Sequence, residues 1–135
     1  MEMLTPRDLF LDSLERCAAD EGFLPTFYRR FLASSREVRD KFRHTDFEQQ
    51  NEMLLNSLRL VAAATAGAQR GLSELKERAK THDRHHLNIR PQLYEFWRVA
   101  IVLTASEFDP LWSDTTEDAW NRILGTVIDH MVRHY

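Results

Sequence analysis

The sequence predicts an all-α domain of six or seven helices, and three observations carry this prediction. Apolar residues recur at steps of three and four along most of the 135 residues, which is the spacing of one helix face. No stretch alternates apolar and polar residues between turn signals, as a half-buried strand does. Capping residues and prolines stand where the apolar segments begin, as they do at helix starts. We expect short connections and a single domain over residues 1–135.

Composition indicates a globular protein without a membrane segment. Apolar residues make up 43% of the chain and charged residues 29%, which are ordinary values. No run reaches 18 apolar residues, and the N-terminus lacks the basic and apolar segments of a signal peptide, so we expect a cytoplasmic location. The net charge of −3 and the scattered arginines argue against a nucleic-acid partner. The spacing of Cys17 suggests a core thiol.

The first half of the chain predicts two helices, a turn and a third, long helix. Thr5 is a good N-cap for the first helix, and Pro25 fits the first turn of the second, which carries Tyr28 on its inward side. A short turn then brings Phe42 inward. Asp46 can cap the long helix, whose inward positions are Phe47, Gln50, Leu54, Leu58, Val61 and Thr65.

The next predicted helix has a histidine as the last residue of its inward face. Leu72, Leu75, Ala79 and His82 follow one another at steps of three, four and three, so they share a face. Such a histidine is either a hydrogen-bonded core residue, an exposed cation at a helix end, or a metal ligand.

Two more helices complete the chain. Pro91 begins a helix that runs to Glu107 and brings Tyr94 and Trp97 inward behind the histidine. The Asp109–Pro110 pair ends it. Capping residues at 113–115 precede the last helix, whose core face consists of Trp120, Ile123, Leu124, Val127, Ile128 and Met131.

Six segments, in this order, resemble bacterial single-domain globins and the globin module of flavohaemoglobins. The segments are FYRRFL, REVRDKF, TDFEQQNEMLLNSL, LKERAKTH, IRPQLYEF and EDAWNRIL. Each is a weak motif, but their order and near-family spacing make the set specific. The resemblance covers nearly the whole chain and implies a globin fold around a pocket for haem b, iron protoporphyrin IX.

The resemblance also implies roles for individual residues. His82 corresponds to the proximal iron ligand, and its second ring nitrogen should donate to a carbonyl about one turn earlier. Tyr28 and Gln50 correspond to distal donors facing the gas ligand, with Gln49 and Met53 as the alternative register. The other implied haem contacts are Phe42 at the haem edge, Leu54 in the distal wall, Tyr94 beneath the proximal ligand, and Trp97, which is either a pocket or a core residue.

The chain departs from the family pattern at Arg78, where a leucine usually packs on the haem. Either its stem covers the haem edge while its head reaches a propionate, or the helix is rotated. No carboxylate stands near Tyr135, where flavohaemoglobins have a glutamate, so a peroxidase-like proximal site is not expected. His82 and His86 have the spacing of two zinc ligands on one helix face, but the sequence shows no clear third and fourth ligand. His85, His86 and Arg84 suit a solvated loop near the propionates.

The expected function is reversible binding of O2, as in oxygen transport, with NO and CO as further ligands. Conversion of NO to nitrate would need a separate reductase, because the sequence contains no flavin or nicotinamide domain. Two alternatives are a gas or redox sensor that acts through a separate partner and a haem-free interaction module with a globin fold. The chain is expected to be a monomer or homodimer with no nucleic-acid or membrane partner.

Overall fold

A computed structural model describes residues 4–65 and 69–135, and these residues form helices and connections without a strand. The seven helices are α1 (Pro6–Ala18), α2 (Phe23–Ser34), α3 (Arg36–Lys41), α4 (Phe47–Ala64), α5 (Gln69–His82), α6 (Pro91–Phe108) and α7 (Asp114–Arg133). This architecture confirms the predicted all-α class. Within the described ranges, no helix combines the length and apolar content that crossing a bilayer would require.

Side-chain caps fix the starts of α1, α4 and α7, as the sequence predicts. Thr5 Oγ1 accepts the Asp8 N–H at 3.1 Å, and the Asp8 carboxylate accepts the Thr5 N–H at 3.2 Å, which forms a complete capping box. Asp46 caps α4, and Ser113 caps α7. The turn predicted before Phe42 is instead the short helix α3, because Ser35 accepts two N–H groups of its first turn.

The core formed by the described residues consists of two apolar clusters. The larger one joins α1, α2, α6 and α7 around fully buried Phe10, Phe27, Ile101 and Trp120. The rings of Phe10 and Trp120 meet edge to face with centroids 4.7 Å apart. The smaller cluster contains residues of α4, α5, α6 and α7, namely Val61, Leu75, Ala79, Tyr94, Val127 and Met131. Cys17 is fully buried, and burial raises the pKa of its thiol to about 12, which agrees with a core thiol.

A buried polar network ties α1 to the corner between α6 and α7. The Asp109 carboxylate, whose side chain is fully buried, accepts hydrogen bonds from Ser13 Oγ at 2.5 Å and Arg16 Nε at 2.6 Å. It also accepts the Leu111 N–H at 2.9 Å, and Trp120 Nε1 donates to Ser13 Oγ at 2.9 Å. The predicted end of α6 is confirmed, because the helix stops at Phe108 with Asp109 as its C-cap.

Two of the expected inward positions face solvent. Leu72 is 44% exposed, because the inward face of α5 starts at buried Gly71 and continues through Leu75 and Ala79 in steps of four. Thr65 is exposed because it is the C-cap of α4 and lies past the packed part of that helix.

Replacing Gly71 by alanine is expected to lower the free energy of unfolding by about 1–3 kcal/mol or more. A Cβ at this position would lie 2.2 Å from the Leu60 carbonyl oxygen and 2.5 Å from the Ala64 nitrogen, so backbone would have to move. Urea denaturation measures the effect. The control is Gly125→Ala on α7, where the new Cβ would meet no atom within 4 Å apart from its chain neighbours and its own helix backbone, and a gain of about 0.5–1 kcal/mol is expected. Equal effects of the two substitutions would contradict close packing of α4 on α5.

Candidate functional site

A deep cleft opens between the two core clusters. It contains about 930 Å³ of space free of protein atoms, part of it open to solvent. All eight predicted cofactor contacts lie in its wall: Tyr28, Phe42, Gln50, Leu54, Arg78, His82, Tyr94 and Trp97. The remaining wall residues are Phe31, Val38, Lys41, Met53, Ser57, Leu58, Val61, Ile89, Leu93 and Met131.

On one side of the cleft, His82 is held by the backbone of its own helix. Its Nδ1 lies 2.8 Å from the Arg78 carbonyl oxygen, one turn earlier, as the resemblance implies. Because a carbonyl only accepts hydrogen bonds, Nδ1 carries the proton and Nε2 carries the lone pair. Thr81 Oγ1 lies 3.0 Å from the same Nδ1 and donates to the same carbonyl. Nε2 is therefore turned away from α5 and, within the described residues, meets no hydrogen-bond partner.

The environment of His82 favours the neutral ring. Burial lowers the pKa of His82, and the nearby positive charge of Arg78 lowers it further, while the hydrogen bond to the Arg78 carbonyl opposes the shift. A neutral imidazole with a free Nε2 is the form that binds a metal.

The side of the cleft next to His82 is apolar. Tyr94 is 8% exposed and packs with Leu75, Ala79 and Met131 in the smaller core cluster. Burial raises the pKa of the Tyr94 hydroxyl well above its ordinary value. The sequence predicts Met131 as a core residue, and the structure places it in the cleft wall as well. Trp97 is half-buried there, in contact with the larger cluster as well.

In another part of the cleft wall, a tyrosine lies next to a glutamine. Tyr28 is 5% exposed, and its ring centroid lies 5.1 Å from that of Phe47 and 5.9 Å from that of Phe42. Burial raises the pKa of the Tyr28 hydroxyl to about 12, and the side chain of Gln50, which faces this hydroxyl, lowers it in part. The hydroxyl is therefore protonated at neutral pH and available as a donor.

The structure places Gln50 in the cleft and leaves Gln49 outside it. Gln50 is half-buried in the wall, one turn before Leu54, whereas Gln49 is exposed on the neighbouring face of α4. Met53 lines the cleft as well, but it is 42% exposed and lies toward solvent.

Two cations lie in the cleft wall, and the described wall residues include no aspartate or glutamate. Arg78 is one of them. Lys41 is the other, and its Nζ donates to the Leu87 carbonyl oxygen at 3.0 Å. Sequence reasoning overlooked Lys41 and Ser57 as site residues. Helical spacing could have found Ser57, seven residues after Gln50, and Lys41 directly precedes Phe42.

Arg78 lines the cleft without a rotation of its helix. Leu75 and Ala79 stay buried on the inward side of α5, and His82 keeps its place in the wall. The Arg78 guanidinium extends toward α4, with Nε 3.2 Å from Glu74 Oε1 and Nη1 3.8 Å from the Met53 sulfur.

The loop after His82 folds back on itself and leaves its basic residues outside the cleft. Asn88 adopts a left-handed conformation with φ of 53°, and Ile89 N–H donates to the His82 carbonyl at 3.0 Å. Arg84, His85 and His86 are exposed, and His86 pairs with Asp83 at 2.7 Å. Among residues 4–65 and 69–135, no group of three or more potential ligands is placed to bind a metal, so the zinc alternative gains no support.

Comparisons with known proteins cover the residues that form this cleft. The sequence model of the family described as Globin matches residues 25–131. A crystal structure from Pseudomonas aeruginosa, of a protein described as structurally highly homologous to a human hemoglobin, is similar at a TM-score of 0.91 and 34% identity. That match covers 97% of this chain and 98% of the other. None of the curated proteins compared with this chain matches it.

Proposed function

The chain belongs to the globin family, and from this premise we propose that it binds haem b in the cleft, with His82 as iron ligand, and binds O2 reversibly. The family match and the globin fold confirm the resemblance to bacterial globins, and globins in general bind haem and gaseous ligands such as O2. The observation that carries the proposal is that His82, Tyr28 and Gln50 all line one largely apolar cleft.

The residues of the cleft fit haem. Its wall is mostly apolar, as a flat macrocycle requires, and its two charged residues are both cations, as a dianionic group requires. The buried Nε of Arg78 has no hydrogen-bond partner in the described structure. When bound, haem would supply an iron at which O2, NO or CO can bind, and His82 would hold that iron.

His82 would hold the cofactor through Nε2. The hydrogen bond from Nδ1 to the Arg78 carbonyl fixes the tautomer, orients the ring and increases the basicity of Nε2. Tyr94 lines the cleft and packs with Leu75 and Ala79 in the smaller core cluster, which would keep this side of the cleft apolar.

Tyr28 and Gln50 would stabilise the ligand from the distal side. A hydroxyl and a carboxamide N–H both donate hydrogen bonds, and such bonds gain strength when water is excluded. Two donors in this part of the wall would favour a ligand that accepts hydrogen bonds, so they would favour the retention of O2 over CO.

Replacing Tyr28 by phenylalanine is expected to speed O2 dissociation by about tenfold to a hundredfold, because a hydrogen bond to a charged group is lost. Stopped-flow mixing of the reduced, O2-loaded protein with CO measures this rate. Tyr135→Phe, outside the cleft wall, is the control and should leave the rate unchanged. An unchanged rate in Tyr28→Phe would remove Tyr28 from the ligand site.

The neighbouring residues Gln50 and Gln49 of α4 allow a second matched pair of substitutions. Gln50→Leu is expected to speed O2 dissociation by several-fold, since a donor in the wall is lost, while Gln49→Leu changes an exposed residue and should have no effect. The reverse result would assign the distal role to Gln49 and Met53.

Reversible binding is tested directly by cycling the reduced protein between O2 and N2 and following its absorption spectrum. Full recovery over repeated cycles supports an O2-binding protein, and irreversible oxidation in the first cycle contradicts it. Conversion of NO with a supplied reductase, a sensor role through a partner protein, and the oligomeric state stay predictions from the sequence.

A further inference from the structure

The wall of the cleft contains a guanidinium whose hydrogen-bonding capacity is mostly unused. Arg78 has five N–H donors, and its Nε is inaccessible to solvent yet has no aligned acceptor within the described structure. Glu74 Oε1 lies 3.2 Å from this nitrogen, without the alignment of a hydrogen bond. The other contact is the sulfur of Met53, which is a weak acceptor.

Glu74, the carboxylate nearest to Arg78, also accepts a hydrogen bond from another residue. Glu74 Oε1 accepts the Ser57 hydroxyl of α4 at 2.7 Å. If the guanidinium turned to a different anion, Glu74 would keep this hydrogen bond, and the cost of leaving a half-buried carboxylate without a partner would be reduced.

The position of Arg78 suits an anion that stays partly hydrated. The side chain is 27% exposed, and neighbouring Met53 is 42% exposed, so the head lies where the cleft meets solvent. Lys41, the other cation of the wall, already donates to the Leu87 carbonyl. Arg78 is thus the wall cation with the most donors left for a ligand.

We propose that Arg78 binds a carboxylate of the ligand that fills the cleft, exchanging its misaligned contact with Glu74 for a charge-assisted hydrogen bond. This inference rests on the proposed function, since haem b carries two carboxylates. A planar guanidinium matches a carboxylate in a two-point geometry, which its contact with Glu74 does not provide. Arg78 is then a specificity-determining residue that makes the cleft prefer a tetrapyrrole with free acid groups.

The test compares two probes, hemin and hemin dimethyl ester, which differ in their free carboxylates. The apoprotein is titrated with each, and the ratio of the two dissociation constants is the readout. The wild type should prefer hemin, and Arg78→Leu should lose about tenfold or more of this preference while still binding the ester. Lys76→Leu, which removes an exposed cation of the same helix outside the cleft, should keep the wild-type ratio.

A second variant keeps Arg78 and removes its competitor. Glu74→Gln should bind hemin more tightly than the wild type and the ester equally well, because the neutral amide competes less for the guanidinium. An unchanged ratio in Arg78→Leu, or weaker hemin binding in Glu74→Gln, would overturn the inference and leave the proposed function intact. Failure of the wild type to bind either probe would overturn both.

Discussion

Replacing His82 by glycine is expected to weaken hemin binding by at least about a hundredfold. Loss of a residue that merely supports a metal ligand costs about 10–100-fold, so loss of the ligand itself should cost more. Glycine also removes the ring and leaves the space that it filled, so added imidazole should restore the bound-haem spectrum. Titration of the apoprotein with hemin, with and without imidazole, measures both effects.

His86→Gly is the matched control for this substitution. It removes another imidazole four residues later, but His86 is exposed and lies outside the cleft wall. Its hemin affinity should equal that of the wild type. Full retention of hemin by His82→Gly without imidazole would mean that another residue is the iron ligand.

Replacing Asp109 by alanine is expected to lower the free energy of unfolding by about 3–5 kcal/mol. The substitution leaves the Arg16 guanidinium without its counter-ion and deprives the buried Ser13 hydroxyl of its acceptor. Urea denaturation measures the change. Asp129→Ala breaks an exposed ion pair with Arg133 and should cost less than about 1 kcal/mol, so similar costs at the two positions would contradict the account.

The buried Asp109 carboxylate should also make the free energy of unfolding depend on pH. Burial raises the pKa of Asp109, but hydrogen bonds from Arg16, Ser13 and the Leu111 N–H, together with the charge of Arg16, outweigh burial and hold the pKa below its ordinary value. A lowered pKa in the folded state stabilises the protein above the unfolded-state pKa of about 3.9, and this contribution is lost as the pH falls through the folded-state pKa. The stability difference between wild type and Asp109→Asn should therefore be constant above about pH 5 and shrink below about pH 4. A difference independent of pH down to 3 would contradict this assignment.

The helices were predictable because their signals are local. The caps at Thr5, Asp46 and Ser113 act within one turn, and the inward faces follow the helical period. The same period, read with the resemblance to bacterial globins, put Tyr28 and His82 among the cofactor contacts, and both lie in the cleft wall.

The partners of the buried polar residues could not be predicted. Ser13 and Asp109 are 96 residues apart, and their contact depends on how α1 meets the end of α6. Likewise, the period of α5 places Arg78 near the cleft but does not reveal that Glu74 is already held by Ser57 of α4. Side-chain direction at a helix crossing is a property of the packed pair of helices, which neither segment specifies alone.

The central claim is that the cleft holds a histidine-ligated haem that binds small gases. Absorption spectra of the protein with hemin in the ferric state, after reduction with dithionite and after addition of CO test it most directly. A Soret band that shifts on reduction and again with CO is the result we expect. Absence of a protein-bound Soret band, even with excess hemin, would contradict the claim and leave a globin-fold interaction module.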